Sequence, residues 1–256
     1  TLAQFHSAPF RAEFERPARR GIAEPRVEVW TEKRLGLAGS AMLHVGLLLV
    51  ILAGALRALF GTEALVDLIE GETLPPTAAA WAAQFPGLLG KPFRLDGPVT
   101  LNSVKAVHYQ GGDLRDLRVE LAVQGRRGVE SAELAVNHDL KGGGGRVFLG
   151  SDFGPAALIE WQSPGAGGKR EALLLTLQGK DEYEGTSSGP NGLRAYLRTR
   201  VGANGDHPKL VEVRVMKDGA LLFNGEARVG QTAVLPGGER LILHGTPFWV
   251  RLRGSR

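Results

Sequence analysis

Between Leu35 and Leu56 the chain runs 22 residues without Asp, Glu, Lys or Arg, LGLAGSAMLHVGLLLVILAGAL, and His44 stands tenth in that run. At about 1.5 Å of rise per residue a helix of this length reaches roughly 33 Å, against a hydrocarbon core about 30 Å thick. The run therefore reads as a transmembrane helix over residues 35–60. A cleaved signal peptide fits less well, because its apolar part is shorter and follows a short basic stretch, whereas 34 mixed-charge residues precede this one. An imidazole near the middle of a bilayer is costly unless something binds it, so His44 is a candidate functional residue. Gly36 and Ser40 precede it at four-residue spacing, on one helical face. Small residues in that register let another helix approach closely, so they are candidate helix-packing positions.

Residues 1–34 hold seven Lys or Arg and five Glu, and Lys33 and Arg34 abut the apolar run. By the positive-inside rule this segment is cytoplasmic, which sends everything after residue 60 out of the cytoplasm. The chain contains no cysteine. That excludes a thiol nucleophile, a disulfide framework, a thiolate-held iron–sulfur cluster and a CxxCH haem attachment in this chain. The net charge is only +4, and Lys and Arg alternate with acids along most of the polar part. Without a basic stripe interleaved with aromatics, nucleic acid is not an expected partner.

Residues 61–90 read as a helical connector. TEALVDLIEGETL is amphipathic for two turns, and PPTAAAWAAQF opens with proline and continues in helix-favouring alanines. Trp81 and Phe85, one turn apart, suit a membrane interface or a seat against the next domain. From Lys91 onward the period becomes two. VTLNSVKAVHY, LRVELAV, SAELAV, RVFLG, ALIEW, ALLLTLQ, LRAYLRTRV, LVEVRVM, ALLFNGEARV and RLILHG each alternate or nearly so between Gly, Pro, Asn or Asp, the pattern of half-buried strands. Residues 91–256 are thus expected to form an antiparallel sandwich or open barrel.

Outside the apolar run the residues carry little catalytic signal. His108, His138, His207 and His244 show neither HxH nor HExxH spacing and read as surface or satisfied structural histidines. Lys141-Gly-Gly-Gly-Gly-Arg146 lacks the Lys-Ser/Thr of a phosphate loop and reads as a hairpin loop. Asp181, Glu182 and Glu184 read as a solvated acidic knot in a loop. No GxSxG and no Ser-His-Asp set appears, so the β domain reads as a binding or scaffolding module.

Several segments, taken in order, resemble one family. GSAMLHVGLLLVILAGAL is similar to a helix in which a Ser-small-x-x-His segment leads a hydrophobic run, and DLIEGET to a short acidic stretch after it. PFRLDGPVTLNSVKAVHY and LRDLRVELAVQGRRGVESAELAVNHDLKGGGGRVFLGSDFG are similar to an extracytoplasmic core with a Val-Asn-x-Pro-Leu turn. Val136 and Asn137 match that turn, and Asp139 stands where proline is usual. These are features of the ResB-like (CcsB) proteins of System II cytochrome c maturation. The resemblance implies work with a CcsA-like membrane partner to move haem and present it to apocytochrome c. It also implies that His44 helps to ligate haem iron together with a partner histidine. Family members usually carry further membrane helices before and after these segments, so the chain reads as a piece or a shortened relative.

The sequence thus leads to a single transmembrane helix followed by a mostly-β extracytoplasmic domain. The expected location is the bacterial inner membrane with the C-terminal domain periplasmic, and the expected partners are the lipid bilayer, a CcsA-like protein and apocytochrome c. A reading from another class is a non-catalytic accessory subunit that holds a larger membrane redox complex together by its helix and β domain.

Overall fold

A computed structural model describes residues 10–14, 27–31, 34–109, 114–125, 128–142, 145–165, 167–202 and 205–256. In chain order its elements are β1 (Phe10–Phe14), β2 (Val27–Thr31), α1 (Arg34–Phe60), β3 (Thr62–Ile69), β4 (Thr73–Leu74), β5 (Ala83–Pro86), β6 (Val99–His108) and β7 (Leu114–Gly125). They continue with β8 (Gly128–Ala135), β9 (Leu140–Gly142), β10 (Gly145–Gln162), β11 (Lys169–Leu174), β12 (Thr176–Leu177), β13 (Glu182–Ser188) and β14 (Leu193–Arg200). The last five are β15 (Leu210–Lys217), β16 (Ala220–Arg228), β17 (Thr232–Val234), β18 (Arg240–Gly245) and β19 (Phe248–Ser255).

The chain divides into two compact units, Thr1–Ala58 and Leu59–Arg256. In the first, β1 and β2 pair antiparallel, Phe10 opposite Thr31 and Phe14 opposite Val27. The unit continues into α1, whose 27 residues reach about 40 Å at 1.5 Å per residue. From Gly39 to Phe60 the helix is long and apolar enough to cross a membrane, and it is the only such helix among the described residues. Met42, Leu43, Leu48 and Val50, which point in different directions around the axis, are all more than half exposed. A helix apolar and exposed on every side is suited to lipid or to other membrane helices.

The second unit is all antiparallel pairing. One sheet runs β17-β18-β10-β19-β3-β5, with β9 and β11 also on β10; a second runs β12-β13-β14-β15-β16; a third runs β4-β6-β7-β8. Alternation builds the core. Leu193, Ala195 and Leu197 of β14 point inward with Val211, Val213 and Val215 of β15, and Arg194, Tyr196 and Arg198 point out. Side chains from all three sheets join one cluster that includes Leu68, Leu101, Val119, Trp161, Tyr183, Leu197 and Leu252. Each full burial of such a side chain is worth about 1.5–3 kcal/mol. A one-residue slip of β14 would exchange its core row for its arginine row, so the register is firmly set. β10 serves two partner sets. Its first part pairs with β19 and its second with β18, with a break in register between Leu149 and Phe153.

The helical connector expected over 61–90 is not there. β3 occupies Thr62–Ile69 with Thr62, Ala64, Val66 and Leu68 buried in strict alternation. It lies between β19 and β5 in the largest sheet. The pairing with β19 overrides the local helical pattern, and the ion pair of Arg251 with its cross-strand neighbour Asp67, at 2.7 and 3.0 Å, reinforces the register. The alanine-rich stretch yields only one 3-10 turn, Ala78–Ala80, before β5. Trp81 is buried with its ring edge-on to Phe93, centroids 4.9 Å apart, whereas Phe85 is exposed. The β unit therefore reaches back to the end of α1 and does not begin at Lys91. Beyond residue 91 the expected strands are present, including the hairpin across the glycine run, where Gly142 faces Gly145.

Candidate functional site

α1 places Ser40 and His44 one turn apart on the same face. His44 Nδ1 lies 2.7 Å from the Ser40 carbonyl oxygen. A carbonyl oxygen only accepts, so Nδ1 carries the hydrogen, and when the ring is neutral its lone pair is on Nε2. Metal-binding histidines are commonly oriented this way, with one ring nitrogen tied to a carbonyl and the other free to coordinate. Leu47 and Leu48 follow at helical spacing on the same face, and they and the adjacent Leu43 are exposed apolar side chains. Gly36 falls one further turn back, within α1. Among the described residues no three His, Asp or Glu side chains converge as a metal site, and His44 is the one histidine in α1.

In the β unit the polar groups that sequence reading treated as incidental are organised. Glu70, in the turn after β3, has an 11% exposed side chain. Its Oε1 accepts from Val104 N at 2.7 Å, and its Oε2 accepts from Phe248 N at 2.9 Å and meets His207 Nε2 at 2.6 Å. One carboxylate thus joins β6, β19 and the loop before β15. The sequence gives no hint of this role, because its strand partners are backbone N–H groups at distant positions.

Glu160 of β10 forms a second centre. It receives Gln162 Nε2 at 2.8 Å and Arg170 Nε at 2.6 Å, and lies 2.9 Å from His244 Nε2. The Gln162 hydrogen bond, followed by those of Arg170 and His244, holds its carboxyl at about 2. His207 and His244 are therefore both partnered, as the reading of structural histidines expects. Neither centre places a nucleophile against an acid–histidine pair; both brace strands.

The acidic knot is a correction. Glu182 and Glu184 lie in β13, not in a loop, and sit across from arginines. Glu182 Oε1 is 2.5 Å from Arg198 Nη2 and 3.3 Å from Arg200 Nη2. Burial opposes its charge, but the arginine hydrogen bonds prevail and lower its pKa. β14 alternation aims both guanidiniums at the outer sheet face where the acids emerge.

The Val136-Asn137-His138-Asp139 turn follows β8, with His138 N donating to Ala135 O at 2.9 Å. Asn137 takes φ of 66°, a left-handed conformation that asparagine tolerates. The turn borders a groove of about 540 Å³ walled by Leu117, Phe148 and Phe153. In it the buried Asp139 Oδ2 lies 3.5 Å from Arg146 Nε.

The helix, the acidic turn after β3 and this turn are arranged in the order that the sequence resemblance requires. The model of the ResB-like family matches residues 10–232. The chain belongs to the ResB-like family. Membership suggests involvement in cytochrome c biogenesis. No curated protein and no solved structure matches this ResB-like chain. The match spans α1 and most of the β unit, so His44, Glu70 and Asn137 all fall within the family region.

Proposed function

We propose that this ResB-like protein handles haem during cytochrome c biogenesis together with a CcsA-like membrane partner, and that His44 would hold the haem iron through its ring nitrogen. The observation that carries the reading is the Nδ1 contact to Ser40 O, which leaves Nε2 as a donor on an apolar helix face. Haem fits that chemistry: its iron accepts an imidazole lone pair, and its porphyrin edge suits Leu43, Leu47 and Leu48. Because α1 holds one histidine, a second ligand would come from the partner. Gly36 and Ser40 lower the profile of the same face and allow the partner helix to approach closely.

In this reading residues 1–34 are cytoplasmic and residues 61–256 stand in the periplasm of a bacterial inner membrane, as Lys33 and Arg34 dictate. The β unit steadies the complex and guides apocytochrome c. Protease added to spheroplasts should digest the β unit; its protection would reverse the orientation. His44→Ala should lower the haem that co-purifies per assembled complex, and added imidazole should restore part of it. Unchanged haem content per assembled complex would remove the ligand role and leave an accessory subunit that packs through α1.

A further inference from the structure

Leu88 and Leu89 are 84% and 61% exposed, and Phe85 beside them is 61% exposed. The two leucines hold the central positions of a turn closed by Gly90 N donating to Gly87 O at 2.9 Å. Such positions ordinarily carry Gly, Pro, Asn, Asp or Ser, so an apolar tip here needs a reason. The turn is also fastened in place. Gly87 N donates to Gly61 O and Leu89 N to Leu59 O, both at 2.7 Å, and Pro86 pairs with Thr62. Thr62 Oγ1 donates to Lys91 O at 2.8 Å. Gly90 approaches so closely that a Cβ there would lie 2.8 Å from Gly61 O and 3.0 Å from Thr62 Oγ1. Every one of these contacts is made to residues 59–62, the last turn of α1 and the start of β3.

We propose that the Leu88–Leu89 turn, with Phe85, is a second membrane contact: a foot that sits at the headgroup–acyl boundary where α1 leaves the bilayer. The inference rests on the reading of α1 as a membrane span. If Leu59 and Phe60 end that span, a turn hydrogen-bonded to Leu59 and Gly61 is held at the same depth by the chain itself. The occupant is lipid because the foot adjoins the lipid-facing end of α1. Exposed Lys91 and Arg94 follow at once, cations suited to phosphate headgroups beside an apolar anchor.

The absence of cysteine makes the test direct. Leu48→Cys, Leu88→Cys and Val234→Cys, each in the full chain reconstituted in phosphatidylcholine–phosphatidylglycerol vesicles, are labelled with a nitroxide. Collision with membrane-soluble oxygen is compared with collision with a water-soluble nickel chelate. Leu48 reports the middle of α1, and Val234, 60% exposed on β17, reports water. The expected result is an oxygen-favoured ratio at 48 and 88 and the inverse at 234. A lipid signature at 48 with a water signature at 88 overturns the foot and leaves the span intact. A water signature at 48 overturns the span and the foot with it. Shielding of 88 from both reagents means protein covers the turn, and that also overturns the proposal.

Discussion

Replacing Glu70 by alanine should be among the most damaging single changes in the β unit, and its cost can be worked from the contacts. The substitution orphans the backbone N–H groups of Val104 and Phe248, residues that are 4% and 0% exposed. A hydrogen bond to a charged group is worth about 1.5–3 kcal/mol, and a buried N–H left without an acceptor forfeits about that much. His207 has a 55% exposed side chain, so its pairing adds little, about 0.5 kcal/mol after solvent screening. The sum is about 3.5–6.5 kcal/mol, which for a domain of this size lowers Tm by roughly 10–20 °C. Glu70→Gln keeps one acceptor oxygen but turns an NH2 toward the other donor, so it should recover only about half of the loss. Thermal unfolding of the full chain in detergent, followed through the buried Trp81, Trp161 and Trp249, reads the effect. A Tm within about 3 °C of wild type for Glu70→Ala would refute the reasoning, because it would mean that water or rearranged side chains satisfy both amides. His207→Ala serves as the control and should move Tm by no more than about 2 °C.

Two further outcomes follow from the same contacts. The Glu160 carboxyl sits at about 2 against an ordinary 4.5; a depressed folded-state value means its contribution is complete above pH 4.5 and disappears as pH falls toward 2. Glu160→Gln should therefore flatten the loss of stability on acidification in that window, measured as urea midpoints at successive pH values; an unchanged slope would mean that other carboxylates set it. Gly97 is buried against the end of β7, and a Cβ there falls on the Gln124 carbonyl oxygen, so Gly97→Ala should cost roughly 3 kcal/mol by overpacking. A urea midpoint equal to wild type would show that the backbone yields freely at that crossing.

What was legible in the sequence was whatever is decided within a few residues. The apolar run announces its helix, and four-residue spacing puts Ser40 beside His44 without any tertiary information. Strands such as LRAYLRTR declare themselves because one face is core and the other arginine. TEALVDLI is different, since Leu65, Leu68 and Ile69 satisfy a helical period while Ala64, Val66 and Leu68 satisfy a strand period. Only β19, whose Arg251 is 184 residues from Asp67, decides between them. The alanines at 78–80 were likewise overruled by the pairing of β5 with β3. Glu70 left no trace, because two of its three partners are backbone amides and a motif records side chains. The acidic residues at 182 and 184 looked like a loop because their arginine partners lie on the next strand, across a turn.

The position of β3 also sets a schedule for biogenesis. It follows α1 after a single glycine, so in the proposed topology it is the first strand to cross the membrane. Its central partner β19 emerges only after the intervening sheets have been delivered. Until then β3 presents an unsatisfied edge beside the lipid, and the largest sheet has no middle. Contacts of such long sequence separation close slowly. In that topology the nascent domain would spend its translocation time as an incomplete fold, and export factors that shield bare strand edges would bear directly on its yield.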